Sequence, residues 1–273
     1  MSFLFAANIS LLFADLPFPE RIAAARQAGF DGVEMQYPYA FDARDLAGKA
    51  RENHIQTVLI NAPAGDRERG ERGLAADPRR RQDFRDSVHQ ALAYAESMNC
   101  RQIHVLSGKA PHGRETGFAC AAENLAWAAE QADGHGVRIL VEAMNSTDVP
   151  GYLLKTNSDS AQLVEVARQI SRAPHALGLL FDTYHCRMGE ADIVAALTEA
   201  FPLVSHIQIA DVPGRNEPGS GEIDWSGFRR TLTNLGFEGW IGCEYHPRLG
   251  TVEGLGWRSD WAEQQPLAAG DRS

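Results

Sequence analysis

The sequence predicts a single-domain (β/α)8 barrel, and three observations support this fold. Eight short apolar runs follow one another along the chain, each too brief for a helix and too continuous for a half-exposed strand. Amphipathic helical patterns separate these runs. The length of 273 residues suits one barrel, which usually has about 250 residues. A doubly wound open sheet is the alternative, but residues 8–12 lack the glycine-rich phosphate loop that it requires.

The predicted strands recur at intervals typical of a parallel barrel. Their apolar residues are nearly continuous, as expected for strands that are covered on both faces. The predicted ranges are residues 3–10, 32–38, 57–63, 102–108, 138–144, 177–182, 204–210 and 240–245.

Five helical patterns with start or stop signals lie between these strands. The clearest extends from Asp77 to Met98, because Asp77-Pro78 supplies an N-cap and a first-turn proline. The other four are Phe18, Ile22 and Ala25 before Gly29; Leu125 and Ala129 before Gly134; Leu163, Ala167 and Ile170 after Ser158; and Phe228, Leu232 and Leu235 before Gly236. We expect the barrel to cover residues 1–263, and residues 264–273 to form a disordered C-terminal tail.

The composition excludes several classes of protein. Hydrophobic residues make up 44% of the chain and charged residues 23%, which is enough for one large core. The net charge of −10 argues against a nucleic-acid partner, and no segment reaches the roughly 18 apolar residues of a membrane span. The four cysteines form no CxxC pair, and the apolar N-terminus lacks a basic leader. We therefore expect a reduced, cytoplasmic protein.

Four polar side chains lie past the middle or at the end of the last four predicted strands: Glu142, Asp182, Gln208 and Glu244. Carboxylates in apolar strands carry a desolvation penalty, and a divalent cation is the commonest compensation for several that converge. Strands five to eight are neighbours in a barrel, so these side chains could face one point at its C-terminal end. For any one of them taken singly, the alternative is a polar group that caps a neighbouring helix.

The types of these residues predict a hard cation. Three carboxylates and an amide oxygen suit Mg²⁺ or Mn²⁺, and the lack of a histidine cluster weakens the case for zinc. His185 could bind the cation as a further ligand, hold one of the ligand side chains in place, or contact the substrate. Other polar residues near strand ends could line the same pocket: Asn8, Glu34, Asn61, His104 and Asn145. Of these, Glu34 is predicted to bind substrate or a neighbouring side chain, and His104 to be a satisfied core or rim histidine and not a ligand.

Several segments are distinctive in combination: FAANIS, ERIAAARQAGFDGVE, NAPAGD, QIHVLSG, RILVEAMN, FDTYH, HIQIADVPGRNEPGSGEI, and GWIGCEYHPR followed by EGLGW. With these segments, which extend from Phe5 to Trp257, the chain resembles the hydroxypyruvate isomerase family. That family lies within the xylose-isomerase-like barrels, which also include the ketohexose 3-epimerases.

The resemblance implies an aldose-ketose type isomerisation of a small oxo acid. The reaction is hydroxypyruvate to tartronate semialdehyde or, as the alternative, 2-oxo-tetronate to its 3-oxo isomer. In the wider superfamily, the residues that match Glu142, Asp182, Gln208 and Glu244 hold the divalent ion. Those that match the two glutamates also transfer protons, and those that match His185 and Arg215 contact the substrate in the epimerases. After Glu142 this chain reads AMNSTDVPGY, without the further acidic residue of the epimerases, and this favours an acid over a ketohexose.

The same chemistry can be argued from the residues. Moving a carbonyl to the adjacent carbon passes through an enediolate, whose negative charge a divalent cation can stabilise. Two carboxylates on opposite sides of the substrate supply base and acid, and Glu142 and Glu244 are separated around the ring for this task. The substrate carboxylate needs a forked cationic partner, for which Arg215 is the first candidate and Arg248 the second.

Other interpretations stay open at this point. A metal-dependent endonuclease would need more histidines and a basic groove, and a non-catalytic binding barrel would not need both Glu142 and Glu244. The charged segment 65–76 is predicted either to fold over the site or to be a solvated loop. The partner we expect is a small-molecule oxo acid, and a monomer and a homo-oligomer both stay open.

Overall fold

All eight predicted strands form in the computed structural model, which describes residues 3–190 and 192–262. The strands are parallel and close into a barrel in chain order, which confirms the predicted fold. They are β1 Leu4–Asn8, β2 Gly32–Met35, β3 Gln56–Asn61, β4 Gln102–His104, β5 Arg138–Glu142, β6 Leu177–Asp182, β7 Val204–Ile209 and β8 Trp240–Cys243. The predicted tail, 264–273, lies outside the described residues.

Most strands end earlier than their apolar patterns predicted. The fourth run was expected to reach Gly108, but β4 ends at His104. Val105 and Leu106 stay buried in the loop that follows. The start of this loop is therefore as buried as the strand, and apolar character continues past the last ladder hydrogen bond.

The five predicted helices all form, and the structure adds four more within the described residues. The helices are α1 Arg21–Gln27, α2 Ala43–Glu52, α3 Arg81–Ser97, α4 Arg114–Asp133, α5 Asn157–Ile170, α6 Thr183–Gly189, α7 Ile193–Ala200, α8 Trp225–Leu235 and α9 Arg258–Ala262. Asp77 accepts a hydrogen bond from the backbone N–H of Arg79 at 3.0 Å, as its position before the proline predicted. Across 3–190 and 192–262, no helix combines the length and apolar character needed to cross a bilayer.

The helices α2, α6, α7 and α9 were not predicted. Helix α6 begins directly after β6, so Asp182 is both the last residue of the strand and the N-cap of the helix. A strand that passes into a helix without a connecting loop leaves no turn signal in the sequence.

Two apolar cores lie on the two faces of the barrel strands. Leu140 and Leu180 lie two residues before Glu142 and Asp182, and side chains two apart in a strand face the same side. These leucines belong to a small buried cluster that is separate from the large cluster shared by strands and helices. The side chains of Glu142 and Asp182 therefore lie directly above buried apolar residues.

Candidate functional site

A cavity of about 430 Å³ brings together most of the predicted site residues. Its wall includes Glu142, His185, Gln208, Arg215 and Glu244. Glu142 ends β5, Gln208 lies near the end of β7, and Glu244 directly follows β8, so the cavity opens at the C-terminal end of the barrel.

Glu142 is a buried carboxylate with an unsatisfied oxygen. Its Oε1 has no hydrogen-bond partner among the described residues, and the nearest histidine nitrogen, His185 Nε2, is 4.0 Å away. Burial, with the nearby charges of Asp182 and Glu244, raises the pKa of Glu142 well above its usual range. An unsatisfied buried oxygen of this kind requires a proton, a cation or a ligand group as its partner.

Asp182 has two separate contacts through its two oxygens. Its Oδ1 accepts hydrogen bonds from the backbone N–H groups of Tyr184 and His185, at 2.7 and 3.1 Å, and so caps α6. Its Oδ2 lies 3.2 Å from Arg215 Nη2. Burial raises the pKa of Asp182 although Arg215 and the two backbone donors oppose this. One oxygen therefore caps the helix, as the alternative interpretation predicted, and the other contacts Arg215, although Asp182 itself is not on the cavity wall.

Glu244 is held from two sides. Arg215 Nη2 lies 3.0 Å from its Oε2, and the side-chain amide of Gln36 donates to its Oε1. Burial raises the pKa of Glu244 to about 7, although Arg215 lowers it. A carboxyl group with a pKa near neutrality can both accept and return a proton at physiological pH.

Arg215 lies between two of the predicted cation ligands. Its Nη2 contacts Asp182 and Glu244 together, and its guanidinium stacks over the ring of Tyr184 at 5.0 Å. The backbone at Arg215 is left-handed, with φ of 52°. Its loop is anchored by Asp211, whose Oδ2 accepts hydrogen bonds from the N–H groups of Gly219 and Gly221. This anchoring gives the guanidinium a defined position.

Gln208 is oriented by a buried group beneath the cavity. Its amide nitrogen donates to Glu34 Oε2 at 2.8 Å, and the carboxylate of Glu34 also accepts from Asn8, at 3.3 Å, and from His206. Because a carboxylate only accepts hydrogen bonds, this contact identifies the nitrogen of Gln208 and leaves its oxygen for a ligand. Glu34 was predicted to bind the substrate or a neighbouring side chain, and Asn8 to contact the substrate; neither is on the cavity wall, and Glu34 binds neighbouring side chains. Their observed contacts instead set the orientation of Gln208.

The reach of Glu34 across the barrel depends on the glycine at position 242. A Cβ at Gly242 would lie 1.9 Å from Glu34 Oε1. We expect Gly242→Ala to lower the free energy of unfolding by about 1–3 kcal/mol, because the overpacked carboxylate must give up its partners. Urea unfolding measures this loss. Gly256→Ala is the matched control, since a Cβ there meets no atom within 4 Å, and an equal loss in both variants would contradict the prediction.

His185 is oriented by the loop after β5. The Oδ1 of Asn145 accepts from the backbone N–H groups of Thr147 and Asp148, so its amide nitrogen faces His185 Nδ1 at 2.8 Å. The Nδ1 atom is therefore an acceptor, and the proton of the neutral ring is on Nε2. Burial lowers the pKa of His185 well below its usual range and keeps the ring neutral. In this tautomer His185 is a hydrogen-bond donor at the cavity wall.

His104 lies at the cavity, within the predicted core or rim position, but its hydrogen bonding is not satisfied as predicted. It lines the cavity, and its Nε2 has no hydrogen-bond partner within the described part of the chain. Burial, together with His185 and His206, lowers the pKa of His104 to about 3, so the ring is neutral. Its Nε2 lies 3.5 Å from Glu142 Oε2. The unsatisfied nitrogen of His104 thus lies beside the carboxyl group whose other oxygen, Oε1, is unsatisfied.

The acidic residues of the site could hold a cation. Glu142, Asp182 and His185 each offer one ligand atom, and these atoms lie within 4.8 Å of one another. The tautomer of His185 favours a donor role for its Nε2, so the carboxylate and amide oxygens are the better ligands. Two of the predicted carboxylate ligands, Glu142 and Asp182, belong to this group, whereas Arg215 Nη2 lies between Asp182 and Glu244. Buried carboxylates of this kind, one of them with an unsatisfied oxygen, suit a hard divalent ion.

Sequence reasoning missed part of the wall. The loop between β3 and α3 contributes Arg67 and Arg72, and the segment after β2 contributes Gln36 and Tyr37. The charged segment 65–76 gave the only signal for the two arginines. Arg248, the second candidate for the substrate carboxylate, is exposed and is not on the wall.

Known proteins resemble this chain over most of its length. The sequence family described as xylose isomerase-like TIM barrel matches residues 22–261. A 2-oxo-tetronate isomerase from Cupriavidus necator is 40% identical over 255 residues, which cover 93% of this chain and 96% of the relative. Hydroxypyruvate isomerase from Escherichia coli is 36% identical over 255 residues, which cover 93% and 97%.

Solved structures share the fold. A crystal structure described as AP endonuclease, family 2, from Brucella melitensis has a TM-score of 0.89 and 37% identity, and the match covers 94% of this chain and 98% of that one. A D-psicose 3-epimerase from Clostridium cellulolyticum has a TM-score of 0.75 and 18% identity, with 96% and 93% covered. At that identity, the likeness to the epimerase concerns the fold alone.

Proposed function

This chain belongs to the xylose isomerase-like TIM barrel family, and on that premise we propose that it isomerises a small 2-oxo acid. The relatives named hydroxypyruvate isomerase and 2-oxo-tetronate isomerase confirm the resemblance that the sequence indicated. One observation of the site carries the proposal: two buried glutamates with raised pKa values, Glu142 and Glu244, lie on the wall of one cavity. The proposed reaction is hydroxypyruvate to tartronate semialdehyde, and the four-carbon 2-oxo-tetronate is the alternative substrate.

The roles of the glutamates follow from proton balance. One glutamate takes a proton from the carbon next to the carbonyl, and the other returns a proton to the former carbonyl carbon. The hydroxyl proton moves to the other oxygen, so the product has the same atoms as the substrate. Burial raises the pKa of both carboxyls, and an acid or base works best when its pKa is near the operating pH. His185 donates its Nε2 proton to a substrate oxygen as a hydrogen bond.

We propose that Glu142, Asp182, Gln208 and Glu244 hold Mg²⁺ or Mn²⁺. The donor set supports a hard cation, and the contact of Gln208 with Glu34 keeps its amide oxygen available. When bound, such a cation stabilises the negative charge of the enediolate. Asp182 keeps one oxygen on the N-terminus of α6 and has the other for this role.

Arg215 is proposed to contact the substrate and to hold Asp182 and Glu244 in place. We expect Arg215→Lys to lower kcat/KM by about 10-fold to 100-fold, because a single ammonium group cannot reproduce a guanidinium shared by two carboxylates. Steady-state kinetics with hydroxypyruvate measures this. Arg248→Lys is the control, since Arg248 is exposed and off the cavity wall. A loss in the control with none at Arg215 would move the substrate contact to Arg248.

A direct test uses metal-loaded protein in D₂O. The protein is incubated separately with hydroxypyruvate and with 2-oxo-tetronate, and the products are followed by NMR. Formation of the isomeric product with deuterium at the exchanged carbon would support the proposal and identify the better substrate. If both acids stay unchanged with metal bound, the proposed function is wrong.

The net charge of the chain favours a small acid over DNA as the substrate. The relative from Brucella melitensis is described as an endonuclease, but this chain has a net charge of −10, which opposes binding to a polyanion.

The four cysteines are all free and buried, which supports the predicted cytoplasmic location.

A further inference from the structure

Two arginines on the cavity wall have no acidic partner among residues 3–190 and 192–262. They are Arg67 and Arg72, from the loop between β3 and α3. Of the acidic neighbours in this loop, Asp66 pairs with Arg69 at 3.2 Å and Glu71 with Arg80 at 2.6 Å. The third, Glu68, is exposed and forms an ion pair with neither arginine. We propose that Arg67 and Arg72 bind the substrate carboxylate, a role that the sequence assigned to Arg215. This inference rests on the proposed function and names the part of the site that selects an acid.

Arg72 has one guanidinium edge available for an anion. Its Nη1 donates to the backbone oxygens of Glu71, at 2.8 Å, and Arg67, at 3.2 Å. The other two nitrogens, Nε and Nη2, form the opposite edge of the planar group and donate to no described residue. Two parallel N–H groups on one edge match the two oxygens of a carboxylate.

Arg67 is fixed by stacking instead of by hydrogen bonds. Its guanidinium lies over the ring of Tyr37 at 4.3 Å, and Tyr37 itself lines the cavity. Stacking on an aromatic face leaves the in-plane N–H groups available for an anion.

The loop that carries both arginines is well braced. The N–H of Gly73 donates to the backbone oxygen of Ala64 at 2.9 Å, which closes the loop, and the N–H of Ala76 donates to Ser107 at 2.9 Å. Gly73 has a φ of 122°, and a Cβ there would meet the backbone oxygen of Leu106 at 2.3 Å. The arginines are therefore held on a formed segment that packs against the loop after β4.

The charges of the cavity give a substrate one orientation. Arg215 is matched by Asp182 and Glu244, which leaves little of its charge for a further anion. The loop, by contrast, presents the guanidinium groups of Arg67 and Arg72, which have no acidic partner among the described residues and would attract a carboxylate. A 2-oxo acid would therefore direct its carboxylate to the loop and its carbonyl and hydroxyl to the glutamates.

The test compares hydroxypyruvate with hydroxyacetone, which has a methyl group in place of the carboxylate and can undergo the same isomerisation. We expect Arg72→Gln to lower kcat/KM for hydroxypyruvate by about 10-fold to 100-fold and to leave that for hydroxyacetone nearly unchanged. Arg72→Lys should fall between, because it keeps the charge and loses the fork. Arg67→Gln should act in the same direction.

Pyruvate binding is a second readout that does not depend on catalysis. Pyruvate keeps the carboxylate and carbonyl but has no hydroxyl, and calorimetry should show it binding to the wild-type protein and weakening in Arg72→Gln by the same factor. Arg69→Gln is the matched control in the same loop, since Arg69 is 86% exposed and paired with Asp66. Unchanged pyruvate binding in the double Arg67→Gln, Arg72→Gln variant, or equal losses on hydroxypyruvate and hydroxyacetone, would overturn the carboxylate site. If the wild type isomerises neither oxo acid, the proposed function fails, while pyruvate binding still decides this inference.

Discussion

Removing the divalent cation should abolish isomerisation while leaving the barrel folded. The fold has its own large apolar core and a small cluster under the site, so we expect the proposed cation to serve the reaction more than the fold. The measurement is turnover before and after treatment with EDTA, with circular dichroism to follow the fold and metal analysis to verify removal. Restored activity on adding Mg²⁺ or Mn²⁺ identifies the effective ion.

The affinity for the cation should depend on pH in a defined direction. Burial raises the pKa of Glu244 to about 7, so in the metal-free protein this carboxyl holds a proton below that pH. Cation binding must displace the proton, and the affinity should therefore rise as the pH rises through about 7.

Full activity in protein that metal analysis shows to be empty would contradict the requirement for a cation.

Replacing either glutamate by glutamine should lower turnover by about 10²-fold to 10⁴-fold, the usual contribution of a positioned acid or base. Glu142→Gln and Glu244→Gln keep an oxygen ligand and nearly the same volume but remove the ability to carry a proton. The double variant should be little worse than the poorer single one, because groups in one proton path are not additive. Stopped assays of kcat at saturating substrate and cation measure each loss.

The two substitutions should differ in stability. Both oxygens of Glu244 accept hydrogen bonds, from Gln36 and Arg215, so an amide there would turn its NH₂ group toward a donor. Glu142 has an oxygen with no partner among the described residues, so Glu142→Gln removes a buried charge and breaks no hydrogen bond to that atom.

Asp182→Asn is the control for these losses. Asparagine is as good an N-cap as aspartate, so α6 should be retained, and only the oxygen offered to the cation and to Arg215 is altered. Its activity should recover in part with excess Mg²⁺ or Mn²⁺. If excess cation rescued Glu142→Gln and Glu244→Gln to the same extent, both glutamates would be ligands only. The proton carriers would then be sought among His185 and a bound water.

The sequence predicted the barrel and the polar residues at the ends of neighbouring strands, because both depend on local patterns. Glu142, Asp182, Gln208 and Glu244 belong to consecutive strands, and barrel geometry alone brings such positions together. Helix α6 was missed because its N-cap, Asp182, had already been assigned to the end of a strand.

The supporting contacts could not be predicted, since they join segments that are distant in the chain. Glu34 and Gln208 are 174 positions apart, and only the path of the whole barrel shows that they touch. The same holds for Gln36 and Glu244, which are 208 positions apart. Arg67 and Arg72 lie on a loop without periodicity. The sequence therefore showed their charge but not that the loop places them on the cavity wall.

The contact between Glu34 and Gln208 has a consequence for how the site comes into being during folding. The four proposed cation ligands all come from β5 to β8, yet the carboxylate that orients one of them comes from β2. A fragment with only the last four strands would contain every ligand and still leave the amide of Gln208 free to turn either way. We therefore expect co-expressed halves of the chain to bind the cation tightly only after they associate into a complete ring.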